Sequence, residues 1–227
     1  GEVGPYANWP VYDPIIQALS GLASVQGGSD QQRPRLVRTI LPDKLTAITA
    51  SQAITAALLS RERTGHGQHV RLSMLDSVVA FLWSSDMGGQ TYVGEEVSQQ
   101  RAASFIDLIY ETNDGFMSVA VMTNKQWKAL CQSFDHPEWA KDERFRTTQL
   151  RDVNIDERLE LIQSVLITNT TDHWMQRLEE AGVPCAPVLT RKELIQHPQI
   201  VASGITFENK HPKAGRLRQA RNAARFS

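Results

Sequence analysis

The sequence predicts an α/β protein in two folded parts, and three observations carry that expectation. A long alanine-rich stretch with apolar residues at helical spacing dominates the first part. A polar stretch with three glycines over 84–103 places a domain boundary near residue 100. Beyond it, short β-type segments and turn residues interleave with helical patterns. A length of 227 residues suits one large domain or two small ones.

The elements follow in chain order. Residues 4–14 carry three prolines and a glycine and read as an irregular lead-in. Ile15 to Leu22 has helical spacing, with Gly21 marking its end, and VQGGSDQQRPR is a loop. Lys44 to Arg63 is the clearest helix: Ala47, Ala50, Ile54, Ala57 and Leu58 mark one face. Gly65 and Gly67 end it after Arg61 and Arg63, cations that the last turn favours. HVRLSM alternates like a short strand, and a second helix runs from about Leu75 to Trp83. Residues 84–103 read as a linker. FIDLIYETNDGFMSVAVM reads as a β-hairpin around Asn113-Asp114-Gly115. Helices are expected at Asn124–Ser133, Pro137–Lys141, Asp152–Leu166 and Thr171–Ala181, the last stopped by Gly182 and Pro184. CAPVLT is a strand, RKELIQ a short helix and ASGITFEN another strand.

Composition narrows the function classes. Hydrophobic residues at 41% and charged residues at 22% are near the globular average, which excludes a mostly disordered chain. A net charge of −1 gives no overall field toward nucleic acid or an anionic membrane. The apolar runs are far shorter than a membrane span, and GEVGPYANWP is too polar for a signal peptide. Cys131 and Cys185 form no disulfide framework and no metal spacing. A cytoplasmic protein without nucleic-acid, membrane or metal partners is expected. The chain opens in GEVGPY and stops in RNAARFS, with neither an initiating Met nor a tail, so a piece of a longer protein is expected.

Several features have ordinary readings. His66 and His69 have no third ligand nearby. Trp127, Trp139 and Trp174 fall in helices and read as core or interface residues, and Cys185 as a small hydrophobe. Asn169-Thr170-Thr171 fits a glycosylation sequon, with nothing placing it in a secretory compartment. The basic run Lys210, Lys213, Arg216, Arg218, Arg221 and Arg225 reads as a solvated connector. By position alone Asp43 is a helix N-cap. Asp13 is open between a cap for the helix over 14–20 and a site residue.

Three stretches in order resemble the family III CoA-transferases, the CaiB/BaiF group that includes formyl-CoA:oxalate and carnitine CoA-transferases and related acyl-CoA racemases. The first runs from Gly4-Pro5-Tyr6 through Val11-Tyr12-Asp13 to Gln17-Ala18-Leu19-Ser20-Gly21. The second is Leu41-Pro42-Asp43 leading into Arg61-Glu62-Arg63-Thr64-Gly65-His66-Gly67-Gln68. The third is Asp114-Gly115-Phe116, Gln126-Trp127 and Gly182-Val183-Pro184-Cys185-Ala186-Pro187-Val188. The resemblance implies a chain about twice this long, with a Rossmann-like large domain, an inserted smaller α/β domain, and two chains threaded as interlocked rings. It makes residues 1–99 a mostly helical remnant of the large domain, 100–202 the small domain, and 203–227 a connector returning to the large one. His211-Pro212 and Gly215 match a stretch common there.

The resemblance also implies the chemistry. Asp43 stands where the family has its aspartate nucleophile. A carboxylate is an anion at neutral pH without help from a base, and burial beside a thioester strips the solvation that weakens it. The helix N-terminus behind Asp43 is expected to offer free N–H groups to an oxyanion. Coenzyme A enters as a substrate, with acyl-CoA and carboxylic acid partners and no metal. Tyr12 and Asp13 correspond to an aromatic–acid pair that handles substrate or intermediate. In the racemase branch the first of the pair is His, and a phenol is a poor base at neutral pH. Gly88-Gly89-Gln90 invites comparison with the glycine-rich lid of formyl-CoA transferases. It follows Asp43 more closely and is shorter, so it reads as a flexible linker first and a substrate-binding lid second. Around Arg101 to Ile106 the His-Pro and Pro-Tyr-Gly pattern of relatives is missing. Two alternatives stand beside the transferase: an α-methylacyl-CoA racemase, and a non-catalytic dimerisation or binding module.

Overall fold

A computed structural model describes residues 3–102 and 106–226. It is a mixed α/β chain in two compact units, 1–107 and 108–227.

The first unit is helical. Helix α1 (Asp13–Leu19), α2 (Leu22–Gly27), α3 (Leu41–Thr64) and α4 (Met74–Asp86) surround a small core of Ile16, Leu22, Val78 and Leu82. Val37, Leu41, Leu45 and Met74 pack around it. Helix α3 begins three residues before the expected Lys44, which puts Asp43 inside its first turn. Gly65 ends it with φ +75, a left-handed cap whose N–H reaches the Arg61 carbonyl at 2.8 Å. Along α3 only Pro42 is buried, while Ile48 is 68% exposed and Ile54, Leu58 and Leu59 face solvent.

Two expectations fail in this unit. Residues 69–74, expected as a strand, join no strand among the described residues: Met74 opens α4 and Ser73 is its N-cap, accepting from the Asp76 N–H at 3.1 Å. The loop expected after Val25 starts later, because α2 continues to Gly27.

The second unit joins a sheet to helices. Strands β1 (Ile109–Glu111), β2 (Phe116–Val119) and β3 (Cys185–Pro187) form an antiparallel sheet with β2 in the middle. Tyr110 pairs with Met117 across the expected Asn113-Asp114-Gly115 turn. Phe105, the first residue of the expected hairpin segment, lies outside the described residues. Helices α5 (Asn124–Ser133), α6 (Thr148–Val153), α7 (Ile155–Leu166) and α8 (Thr171–Glu180) cover a core built on Met117, Trp127, Leu130, Phe145, Leu166 and Trp174. Residues Pro137–Lys141 form a 3-10 turn rather than an α-helix. The expected helix from Asp152 is two helices, broken at Asn154, whose side-chain amide donates to the carbonyls of Arg144 and Leu150. Trp174 stays polar-satisfied in the core because its Nε1 donates to the Leu166 carbonyl at 2.8 Å.

After α9 (Arg191–Leu194) comes α10 (Pro198–Ser203), which no expected helix covered and which takes in Ala202 and Ser203, expected as the start of a strand. Most of the basic run lies in a largely exposed hairpin of β4 (Thr206–His211) and β5 (Gly215–Ala220), with Arg216 and Arg218 both paired to Glu208. Ser227, at the end of the RNAARFS tail, lies outside the described residues, as do Gly1 and Glu2 of the opening GEVGPY.

Candidate active site

Asp43 is the third residue of α3, not its N-cap; that position is Ile40, which makes no side-chain cap. The capping oxygen comes from another helix. Asp13 Oδ2 accepts the Asp43 backbone N–H at 3.4 Å, across thirty positions of sequence. Asp13 is the first residue of α1 and does not cap its own helix, whose N-cap is Tyr12. The other Asp13 oxygen accepts Gln17 Nε2 at 2.6 Å, one helical turn on. Gln17 in turn holds the chain that leads into α3. Its Oε1 accepts the Val37 N–H at 2.8 Å, and its Nε2 lies 3.3 Å from the carbonyls of Val37 and Thr39. Asp13 is 6% exposed and Gln17 2%.

The expectation of free N–H groups at the start of α3 is met only at the N-cap, where the Ile40 N–H has no partner among the described residues. Leu41 donates to the Thr39 carbonyl at 2.8 Å and Lys44 to the Ile40 carbonyl at 3.2 Å. Pro42 has no N–H, and the Asp43 donor is taken by Asp13. The donors of Leu41 and Asp43 are taken, so an oxyanion there has only the Ile40 N–H from this helix. The Asp43 carboxylate is solvent-exposed and makes no hydrogen bond or ion pair among the described residues.

Tyr12 sits beside Asp13 in sequence, 75% exposed, with its backbone carbonyl accepting from Ile15 and Ile16. On another side of α1 lies a cavity of about 560 Å³ walled by apolar side chains, among them Tyr6, Trp9, Val11, Ile15, Leu19 and Met74. It holds no acid or base and suits only apolar contact.

The structure does not bring Gly88, Gly89 and Gln90 to this cluster. They form a 3-10 turn after α4. The Gly89 N–H donates to Gln100 Oε1 at 2.9 Å, while Gln100 Nε2 donates to the Asp86 carbonyl at 3.0 Å and Gln90 Nε2 to the Val97 carbonyl at 2.8 Å. A Cβ at Gly89 would stand 2.5 Å from Gln100 Oε1, so a larger residue there displaces the Gln100 side chain. The stretch carrying Gln100 is itself tied to residues 28–30: Asp30 Oδ2 accepts the Gln100 N–H at 2.8 Å, and Ala102 N–H reaches the Gly28 carbonyl at 2.8 Å. Residues 86–102, expected as a flexible linker, are strapped down. Gln90 lines a separate cleft of about 250 Å³ with Asp30, Asp86, Gln100 and Arg101. Of the Arg101 to Ile106 comparison, residues 103–105 lie outside the described residues. Among the described residues no group of three His, Cys, Asp or Glu side chains is placed to share a metal ion.

Sequence reading quoted Gln17 without assigning it a role. The signal was present: a polar residue four positions after Asp13 shares the face that buries Ile16 and Ser20.

Asp43 thus presents an exposed carboxylate in the first turn of α3, with the buried Asp13 accepting its backbone N–H. The chain belongs to CoA-transferase family III, whose profile it matches over residues 1–227. It is 28% identical over 233 residues to succinyl-CoA:glutarate CoA-transferase of Homo sapiens, covering 100% of this chain and 52% of that protein. It is 31% identical over 215 residues to acetyl-CoA:oxalate CoA-transferase of Acetobacter aceti, covering 92% and 54%. A crystal structure of a CAIB/BAIF family protein from Brucella suis superposes with a TM-score of 0.82 at 26% identity, over 100% of this chain and 59% of that one. The chain thus spans about half the length of the curated relatives it matches.

Proposed function

We propose that the protein moves coenzyme A between carboxylic acids through a covalent intermediate on Asp43. The observation that carries this is the free carboxylate of Asp43 in the first turn of α3, in a chain of this family. The Asp43 carboxylate attacks the thioester carbonyl of an acyl-CoA; the C–S bond breaks and CoA thiolate leaves a mixed anhydride. The thiolate attacks the Asp43 carbonyl, the donor acid departs as carboxylate, and an aspartyl-CoA thioester remains. The acceptor acid attacks that carbonyl and displaces the thiolate, which then attacks the acceptor's acyl carbon and regenerates the Asp43 carboxylate. Each step exchanges one acyl bond for another, with no net proton or electron.

Tyr12 stands at the exposed edge of this cluster, where it can meet substrate, and Asp13 backs the nucleophile. Gly88, Gly89 and Gln90 belong to the site only if their strap opens when substrate binds. The exposed apolar flank of α3, with Ile48, Ile54, Leu58 and Leu59, supports an assembly that covers it, such as the interlocked homodimer the family resemblance implies. Among the described residues no helix is long and apolar enough to cross a membrane.

Replacing Asp43 by Ala in the full-length protein is expected to abolish transfer between an acyl-CoA and an acceptor acid; substantial residual turnover contradicts the assignment. Tyr12 in place of His and the transferase names of the relatives argue against racemisation. Deuterium wash-in at the acyl α-carbon without any acceptor acid would restore it.

A further inference from the structure

We infer that Asp13 is a surrogate cap for α3, locked in place by Gln17, and that its purpose is to leave the Asp43 carboxylate free to react. This rests on the transferase reading of Asp43 and assigns roles to two residues behind it. An acidic side chain in the first turn of a helix is attracted to the backbone donors and positive dipole end there. Left alone, Asp43 would fold back on its own first turn and spend its oxygens on hydrogen bonds. A second carboxylate already occupies the Asp43 N–H, and Leu41, Pro42 and Lys44 offer no other donor. Only the N-cap Ile40 N–H stays open on this helix, and the Asp43 carboxylate does not use it: it is exposed, without a partner among the described residues.

Asp13 can do this only if it is held, and the holding group is Gln17. One side-chain amide reaches three places: the Asp13 carboxylate, the Val37 N–H, and the carbonyls of Val37 and Thr39 just before α3. It fixes the position of the cap and the entry of the capped helix together. At 2% exposure it does so without competition from water. Asp13 and Gln17 are positioning residues; neither touches substrate in this account. A cap needs an acceptor and not a charge, and an Asn supplies an acceptor oxygen without the charge.

The test uses the full-length protein with Asp13→Ala, Asp13→Asn and Gln17→Leu. For Asp13→Ala, kcat is expected to fall about threefold to thirtyfold, the range set by one capping interaction, with KM for the acyl-CoA unchanged. Asp13→Asn recovers only part of that loss, because its one oxygen keeps only one of the two donors that Asp13 holds, and Gln17→Leu also loses less than Asp13→Ala. Hydrogen exchange supplies a readout independent of turnover: the Asp43 amide is slow in the native chain and fast in Asp13→Ala and Gln17→Leu. Asp13→Ala with native turnover, or an Asp43 amide that exchanges equally in all four proteins, overturns the inference. If the native protein shows no transfer at all, the function fails while the exchange experiment still decides the cap.

Discussion

Replacing Gly89 by Ala asks whether the Gly88-Gly89-Gln90 turn is a strap or a moving lid. The added methyl would lie 2.5 Å from Gln100 Oε1 and 3.2 Å from Val97 Cβ, so Gln100 must move. Moving it breaks its bonds to the Gly89 N–H and the Asp86 carbonyl. Two such bonds at about 0.5–1.5 kcal/mol each give a loss of about 1–3 kcal/mol. Equilibrium unfolding in urea reads the loss as a lower midpoint at constant slope, and hydrogen exchange should rise across residues 86–102. The fall in stability comes first in this account, and kcat follows only as far as the strap supports the first unit. An unchanged midpoint with a large fall in kcat would refute the reasoning, because it would place the turn over the reacting atoms.

Two further outcomes come from the second unit. The Thr171 backbone N–H, 2.8 Å from Asp114 Oδ1, holds the Asp114 carboxyl below its usual range, with the hydroxyls of Thr171 and Thr112 adding to it. A depressed carboxyl contributes stability that is full above the ordinary carboxylate value of about 4 and is lost as pH falls through the folded-state value. Asp114→Asn should therefore flatten the acid limb of a stability–pH curve, and an unchanged limb counts against the anchor. Burial pushes the Cys131 thiol up to about 12, so native protein at pH 8 should leave Cys131 unmodified by iodoacetamide while unfolded protein alkylates it. Native labelling at the unfolded rate would show that the α5 core opens.

Strong local patterns were legible in the sequence. The alanine-rich α3, the Asn113-Asp114-Gly115 turn and α5 could be placed from periodicity and turn residues, because each is specified by its own neighbours. Residues 69–74 misled, since alternation marks a strand only when a partner strand exists, and in this unit the segment serves as the entry to α4. Strand β5 was hidden because its hairpin is polar on both faces, so no period-two contrast marks it. For the candidate site, the position of Asp43 was readable and its partner was not. The Asp13–Asp43 contact joins residues thirty apart through the meeting of two helix ends, and Gln17 acquires its role only once the chain before α3 folds against it. The reading of Asp43 as a cap failed for the same reason: the cap is supplied from elsewhere in the fold.

The measurement that bears most directly on the central claim is chemical trapping at Asp43. The full-length protein is incubated with a panel of acyl-CoA thioesters, quenched with hydroxylamine and mapped by mass spectrometry. An activated aspartyl carbonyl, whether anhydride or thioester, is captured as a hydroxamate on Asp43 with at least one donor, and the donor that gives it identifies the acyl group. An unmodified Asp43 across a broad panel, in protein that still exchanges CoA between acids, would contradict the covalent mechanism.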